Sequence, residues 1–146
     1  MRNPWPSETF VLSAIRKVLQ AKGYKPDLPR SLHAHGVDIK VRHKKYRHYI
    51  FVECKGYPKG TSSEGVQRDN YFLTILGQIL TRMRQKNAYY AVALPYHKFY
   101  RGRILRQDLR LAREWLGLWF FLVKRDGTVL RLAANQKEFR EYGVEA

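Results

Sequence analysis

The chain has 146 residues, enough for one domain with its own core. A hydrophobic fraction of 45% and a charged fraction of 27% are those of a folded, soluble protein rather than a disordered one. With 28 Lys and Arg against 12 Asp and Glu, the formal charge is +16, which favours a polyanionic partner, nucleic acid first, with an anionic membrane surface or a ribosomal setting as competitors.

Ser7 followed by Glu8 opens an amphipathic helix running to Lys22, with Val11, Leu12, Ile15, Val18 and Leu19 as its apolar face and Gly23 as its stop. Residues 24–35 contain Pro26 and Pro29 and show little periodicity, which predicts a loop or an irregular edge strand. Val37, Ile39 and Val41 alternate with Asp38, Lys40 and Arg42, and Ile50, Val52 and Cys54 alternate with Phe51, Glu53 and Lys55, giving two strands around a turn at Lys44-Lys45-Tyr46-Arg47. Residues 56–66 are rich in Gly, Ser and Pro. A helix is expected from Arg68 to Gln85, buried along Phe72, Leu76, Ile79 and Met83. Tyr89 to Leu94 form a short strand stopped by Pro95, and a basic helix follows within Arg101 to Trp115. Leu118–Val123, Asp126-Gly127 and Val129–Leu132 read as a hairpin, with a short polar helix closing the chain. The order predicts an α/β fold, a mixed sheet covered by helices, in one domain spanning 1–146.

Cys54 is the only cysteine, so no intrachain disulfide forms. The N-terminal residues do not read as a secretory signal, and no apolar run reaches membrane-spanning length. A cytoplasmic location is expected, or a nuclear one in a eukaryotic host.

The informative feature is a pair of acids inside the most regular strands of a basic chain. Strand parity puts Glu53 and Lys55 on one face, roughly 7 Å apart, with the Cys54 thiol on the other. A symmetric turn at Tyr46 puts Asp38 directly opposite Glu53, and a one-residue slip would break that register. Two facing carboxylates repel, so something positive is shared between them. Lys55 alone is one candidate, as an ordinary ion pair. A hard divalent cation is the other, with the backbone carbonyl of Cys54 as a further ligand.

Gly36-Val37-Asp38-Ile39 and Phe51-Val52-Glu53-Cys54-Lys55-Gly56 together resemble the signature of the PD-(D/E)XK, or restriction-endonuclease-like, nucleases. With the Glu8 helix before and the Gln78 helix after, the chain looks most like the branch of archaeal Holliday junction resolvases and Mrr-type restriction enzymes. Val37 stands where the motif name has Pro, and the segment between Gly23 and Gly36 makes a poor first strand. The resemblance covers residues 7–94, leaving the basic helix and C-terminal hairpin at 98–133. It implies a restriction-endonuclease-like three-layer fold and a Mg²⁺-dependent DNA endonuclease, with Mn²⁺ as a substitute ion. The alternative is a catalytically silent nucleic-acid-binding module on the same fold. Asp38 and Glu53 would be metal ligands, Lys55 would position or activate the attacking water, Glu8 would match a helical acid near the metal, and Gln78 a polar residue near the lysine. Double-stranded or branched DNA, a homodimer, and a role in restriction, recombination or repair follow as expectations.

Further positions have a bland reading beside a functional one. Glu8 suits a helix first turn whatever else it does. Gln78 lies about 130° from the middle of its helix's apolar stripe, with Tyr71 and Arg82 on its side. Lys40, Arg42, Lys44, Lys45 and Arg82 are candidate phosphate contacts, as are Arg103, Arg106 and Arg110, which with Arg113 form one charged helix face. All could equally be solvated surface. His33 and His35 form a neutral loop pair or, less simply, a metal or DNA contact. Ser62 and Ser63 could bond phosphate or belong to a linker. Trp115, Trp119, Phe120 and Phe121 build core or a dimer face.

Overall fold

A computed structural model describes residues 5–25, 38–58 and 64–143. Val37, His33, His35, Ser62, Ser63 and most of the predicted loop 24–35 lie outside the described residues.

Helix α1 spans Glu8–Ala21, and the Ser7 hydroxyl caps it by accepting from the Phe10 amide. Strands β1 (Ile39–Arg42) and β2 (Tyr49–Cys54) form the antiparallel hairpin that the alternation predicts, with Ile39 paired to Val52 and Val41 to Ile50. Helix α2 covers Glu64–Thr81, starting and ending about one turn earlier than expected. Strand β3 (Ala88–Pro95) runs parallel to β2. Helices α3 (Lys98–Leu105) and α4 (Gln107–Leu116) lead to β4 (Leu118–Val123), parallel to β3. Strand β5 (Val129–Leu132) completes the predicted hairpin, and the two-residue β6 (Arg140–Glu141) pairs with it where a closing helix was expected.

The six strands lie in sequence order in one mixed sheet. Strand β3 is buried on both faces over Tyr90–Pro95, and its near-continuous apolar run suits an inner parallel strand. Parity divides the core. Ile50, Val52 and Cys54 of β2, with Ala91, Ala93, Phe121 and Val123, pack under α1. Phe51, Tyr90, Val92, Phe120 and Leu122 face the other way, under α2 and α3. The α2 side chains that reach zero exposure are Phe72, Ile75 and Ile79, while Leu76, and Met83 two residues beyond the helix, are half-buried. Among the described residues, no helix is long and apolar enough to cross a membrane.

The single basic helix expected over Arg101 to Trp115 is two helices. Arg106 has an extended backbone (ψ 148°) and separates them. The break rotates the arginines out of register. Arg113 is buried, 2% exposed, and donates to the Gln136 carbonyl at 2.8 Å. Arg103 is half-buried against Phe72 and 3.5 Å from Asp69. The expected common face of Arg103, Arg106, Arg110 and Arg113 therefore does not exist. Phe120 and Phe121 are core, Trp119 packs against it, and Trp115 is 81% exposed.

Candidate active site

The site lies where β2 ends and α1 begins. The register that pairs Ile39 with Val52 carries Asp38, just ahead of β1, to the level of Glu53. Asp38 Oδ2 accepts a 2.7 Å hydrogen bond from the Cys54 amide. Two strand ends are thereby tied together by a carboxylate, and the amide of Cys54 is the group engaged there. The Cys54 thiol lies among the apolar residues under α1, as parity required, and burial raises its pKa well above the ordinary thiol range.

Glu53 faces α2 and is 3% exposed. The Arg82 guanidinium, one residue beyond α2, donates to its Oε2 at 3.2 Å. Burial and the neighbouring Asp38 charge nevertheless outweigh Arg82 and push the Glu53 pKa up to about 7, with Glu8 adding to the rise. Lys55 is half-buried, and its Nζ lies 4.6 Å from the centre of the Tyr71 ring. Its amide donates to the Ala93 carbonyl, extending the β2–β3 ladder past Cys54 and holding the lysine at the sheet's end.

Glu8 comes to this region because of backbone packing. Trp5 Nε1 donates to the Val123 carbonyl, and the Tyr57 amide to the Pro6 carbonyl, which pins the chain before α1 across the ends of β4 and β2. Gly56 makes that approach possible: a Cβ there would lie 2.8 Å from both the Glu8 nitrogen and the Pro6 oxygen. Glu8 is exposed in the first turn of α1, where its angle of 100° per residue would set it on the side of Val11, Leu12, Ile15 and Leu19. Its pKa is raised, first by partial loss of solvent around the carboxyl, then by Asp38, against a lowering by Lys55. Glu8, Asp38, Glu53 and Lys55 thus share one electrostatic neighbourhood.

Gln78 is exposed, and the bond recorded there is from the Thr81 hydroxyl to its backbone carbonyl. It lies on the helix face between Tyr71 and Arg82, the two residues that meet Lys55 and Glu53. Reading the sequence placed Arg82 among phosphate contacts and missed its bond to Glu53. The available signal was a buried acid in a basic chain, which needs a cation, and an arginine four residues after Gln78 supplies one.

On the same sheet face, Lys40 stands over Tyr49 and Phe51, and Arg42 stands over Tyr49 while donating to the Arg47 carbonyl. Lys44 and Lys45 are exposed in the turn. Arg106, at the start of α4, and Arg110, within it, are exposed, each beside an acid: Asp108 at 3.5 Å and Glu114 at 3.2 Å. The basic candidates are thus divided between the hairpin next to the acids and α4.

Among the described residues, no group of three or more His, Cys, Asp or Glu side chains is gathered closely enough to hold a metal ion. One oxygen of Asp38 is committed to an amide and one oxygen of Glu53 to Arg82. What the region does hold is two facing carboxylates, a third acid within Coulomb range, a lysine and an arginine at the open end of a sheet. Comparison of the chain with protein-family models, with curated proteins and with solved structures gives no match.

Proposed function

We propose that the protein is a divalent-cation-dependent endonuclease that hydrolyses phosphodiester bonds in DNA, double-stranded or branched, on a restriction-endonuclease-like fold. The observation that carries this reading is the meeting of Asp38 and Glu53 at adjoining strand ends with Lys55 beside them. A chain of net charge +16 has no general need to crowd acids, yet Asp38 raises the proton affinity of both Glu53 and Glu8. A shared cation relieves that cost.

The donor set suits Mg²⁺ or Mn²⁺: carboxylate oxygens of Asp38 and Glu53, with the Cys54 carbonyl as a third oxygen donor. Such an ion, when bound, withdraws charge from the phosphate and makes water a better nucleophile near neutral pH. Lys55 orients the attacking water and offsets charge developing on the phosphate. Arg82, displaced from Glu53, holds a neighbouring phosphate oxygen, and Lys40, Arg42, Lys44 and Lys45 hold the backbone beyond it. Glu8 and Gln78 act as outer polar groups around water and lysine.

The test is cleavage of duplex, flap, single-stranded and four-way junction DNA with Mg²⁺ or Mn²⁺. Asp38→Ala and Glu53→Ala should abolish cleavage and leave salt-sensitive binding largely intact. Cleavage that persists in both purified variants overturns the reading. One observation favours a second reading, a silent DNA-binding module: Arg82 already neutralises Glu53. That reading predicts binding without cleavage on all four substrates in either metal.

A further inference from the structure

The exposed side of α2 is unlike the rest of this molecule. Among its described side chains, every exposed residue is uncharged. Val66, Leu73 and Leu80, seven residues apart, are 63%, 57% and 48% exposed. At 100° per residue they form one straight stripe, with Asn70 and Gly77 beside them. A Cβ on Gly77 would meet nothing, so the helix surface there is open to close approach. Asp69, about 40° from Leu73 and half-exposed, lies within the width of the stripe, where Arg103 at 3.5 Å offsets its charge.

Leaving such a stripe in water is costly unless something covers it, and the charge pattern selects the occupant. Nucleic acid and anionic lipid are recognised through Lys and Arg, and this face has none among its exposed residues. A second copy of a +16 chain, by contrast, meets least repulsion through a face whose charges cancel. The stripe is also self-complementary. In an antiparallel pairing about a twofold axis at Leu73, Leu73 meets the partner's Leu73, Val66 meets the partner's Leu80, and Asn70 comes level with the partner's Leu76, beside its Gly77. The alternating spacing of four and three through these positions is that of a two-helix seam.

We infer that two copies of this protein associate through an antiparallel pairing of their α2 helices centred on Leu73. This deepens the twofold arrangement expected of a junction-cutting nuclease by assigning its surface. Tyr71, Gln78 and Arg82 lie roughly 140 to 180° around α2 from Leu73 at 100° per residue, so pairing leaves the acids open. The seam is short, which places the association in the transient class.

The test reads association and not cleavage, so its failure is distinguishable from failure of the nuclease reading. Cys54 is buried, so it does not compete in oxidation. Under mild oxidation, Leu73→Cys should form a covalent dimer at least tenfold faster than Gln20→Cys, an exposed control on α1. Adding Leu80→Glu to Leu73→Cys should remove that advantage while far-UV circular dichroism stays unchanged. Sedimentation over about 10 to 200 µM should show a concentration-dependent dimer. Cross-linking of Leu73→Cys at the control rate, or a monomer throughout that range, overturns the inference.

Discussion

Arg82 reaches from the end of α2 to donate to Glu53 Oε2 at 3.2 Å, joining a half-exposed cation to a carboxylate that is 3% exposed. The pair links the crossover helix to the strand that carries the candidate ligand. Arg82 occupies an oxygen that the proposed metal also needs. Arg82→Ala should therefore destabilise the metal-free protein by about 1 to 2 kcal/mol, since Glu53 can escape part of the cost by taking a proton. Thermal unfolding with and without MgCl₂ checks it: the ion should raise Tm more in the variant than in the parent. An equal rise in both would count against competition for Glu53.

Glu53 also sets a pH dependence. Its pKa is raised from 4.5 in the unfolded chain to about 7 in the fold, so between those values the native state holds a proton that the unfolded state has released. Stability of the metal-free protein is therefore highest below pH 4.5 as far as this group is concerned, falls as pH rises through the window, and levels off above about 7. The span amounts to up to about 3 kcal/mol, and Glu8 acts in the same direction. Urea unfolding at pH 5 and pH 8 without divalent ions measures it. Glu53→Gln should flatten the slope; an unchanged slope would reassign the effect to other groups.

Asp38 has a structural and a chemical part, and two substitutions separate them. Asp38→Asn keeps an oxygen to accept from the Cys54 amide and should cost under about 1 kcal/mol, whereas Asp38→Ala leaves that amide without its acceptor at about 1 to 3 kcal/mol. Both should lose divalent-ion binding, measured by calorimetric titration with Mn²⁺. An Asn variant that binds Mn²⁺ as the parent does would remove Asp38 from the ligand set.

The arginines of α4 divide by burial. Arg113→Ala should destabilise the fold by about 2 kcal/mol or more, because its buried guanidinium holds the Gln136 carbonyl and packs beneath α4. Arg106→Ala and Arg110→Ala, both exposed, should leave Tm within a degree or two and, if these residues touch DNA, lower the salt slope of binding by about one unit each. Denaturation curves beside binding isotherms at several salt concentrations tell them apart.

Those arginines also mark the limit of what the chain discloses about itself. The β1–β2 register was legible, because alternation on both sides of a short turn leaves one pairing that buries Ile39, Val41, Ile50 and Val52 together. Arg113 was not, because a charged spacing of three and four presumes one continuous helix, and the interruption at Arg106 carries no proline or glycine to announce it. The Arg82–Glu53 contact crosses 29 residues and depends on where α2 ends, which periodicity leaves uncertain by a turn. Tyr71 under Lys55 was within reach, since it shares a helix face with Gln78 and Arg82.

Gly56 has a consequence for how the site comes into being. The strand end that carries Glu53 and Lys55 is in backbone contact with the residues that open α1, with no room for a single methyl between them. Glu8 therefore joins the acids only when the first helix of the chain has docked on a hairpin some thirty residues later. Any motion that lifts α1 takes Glu8 away from Asp38 while the hairpin still holds Asp38 level with Glu53. Amide protons at Val11 and Ile15 should then exchange in step with the release of Glu8 from its neighbours, which makes the docking of α1 a latch on the third acid.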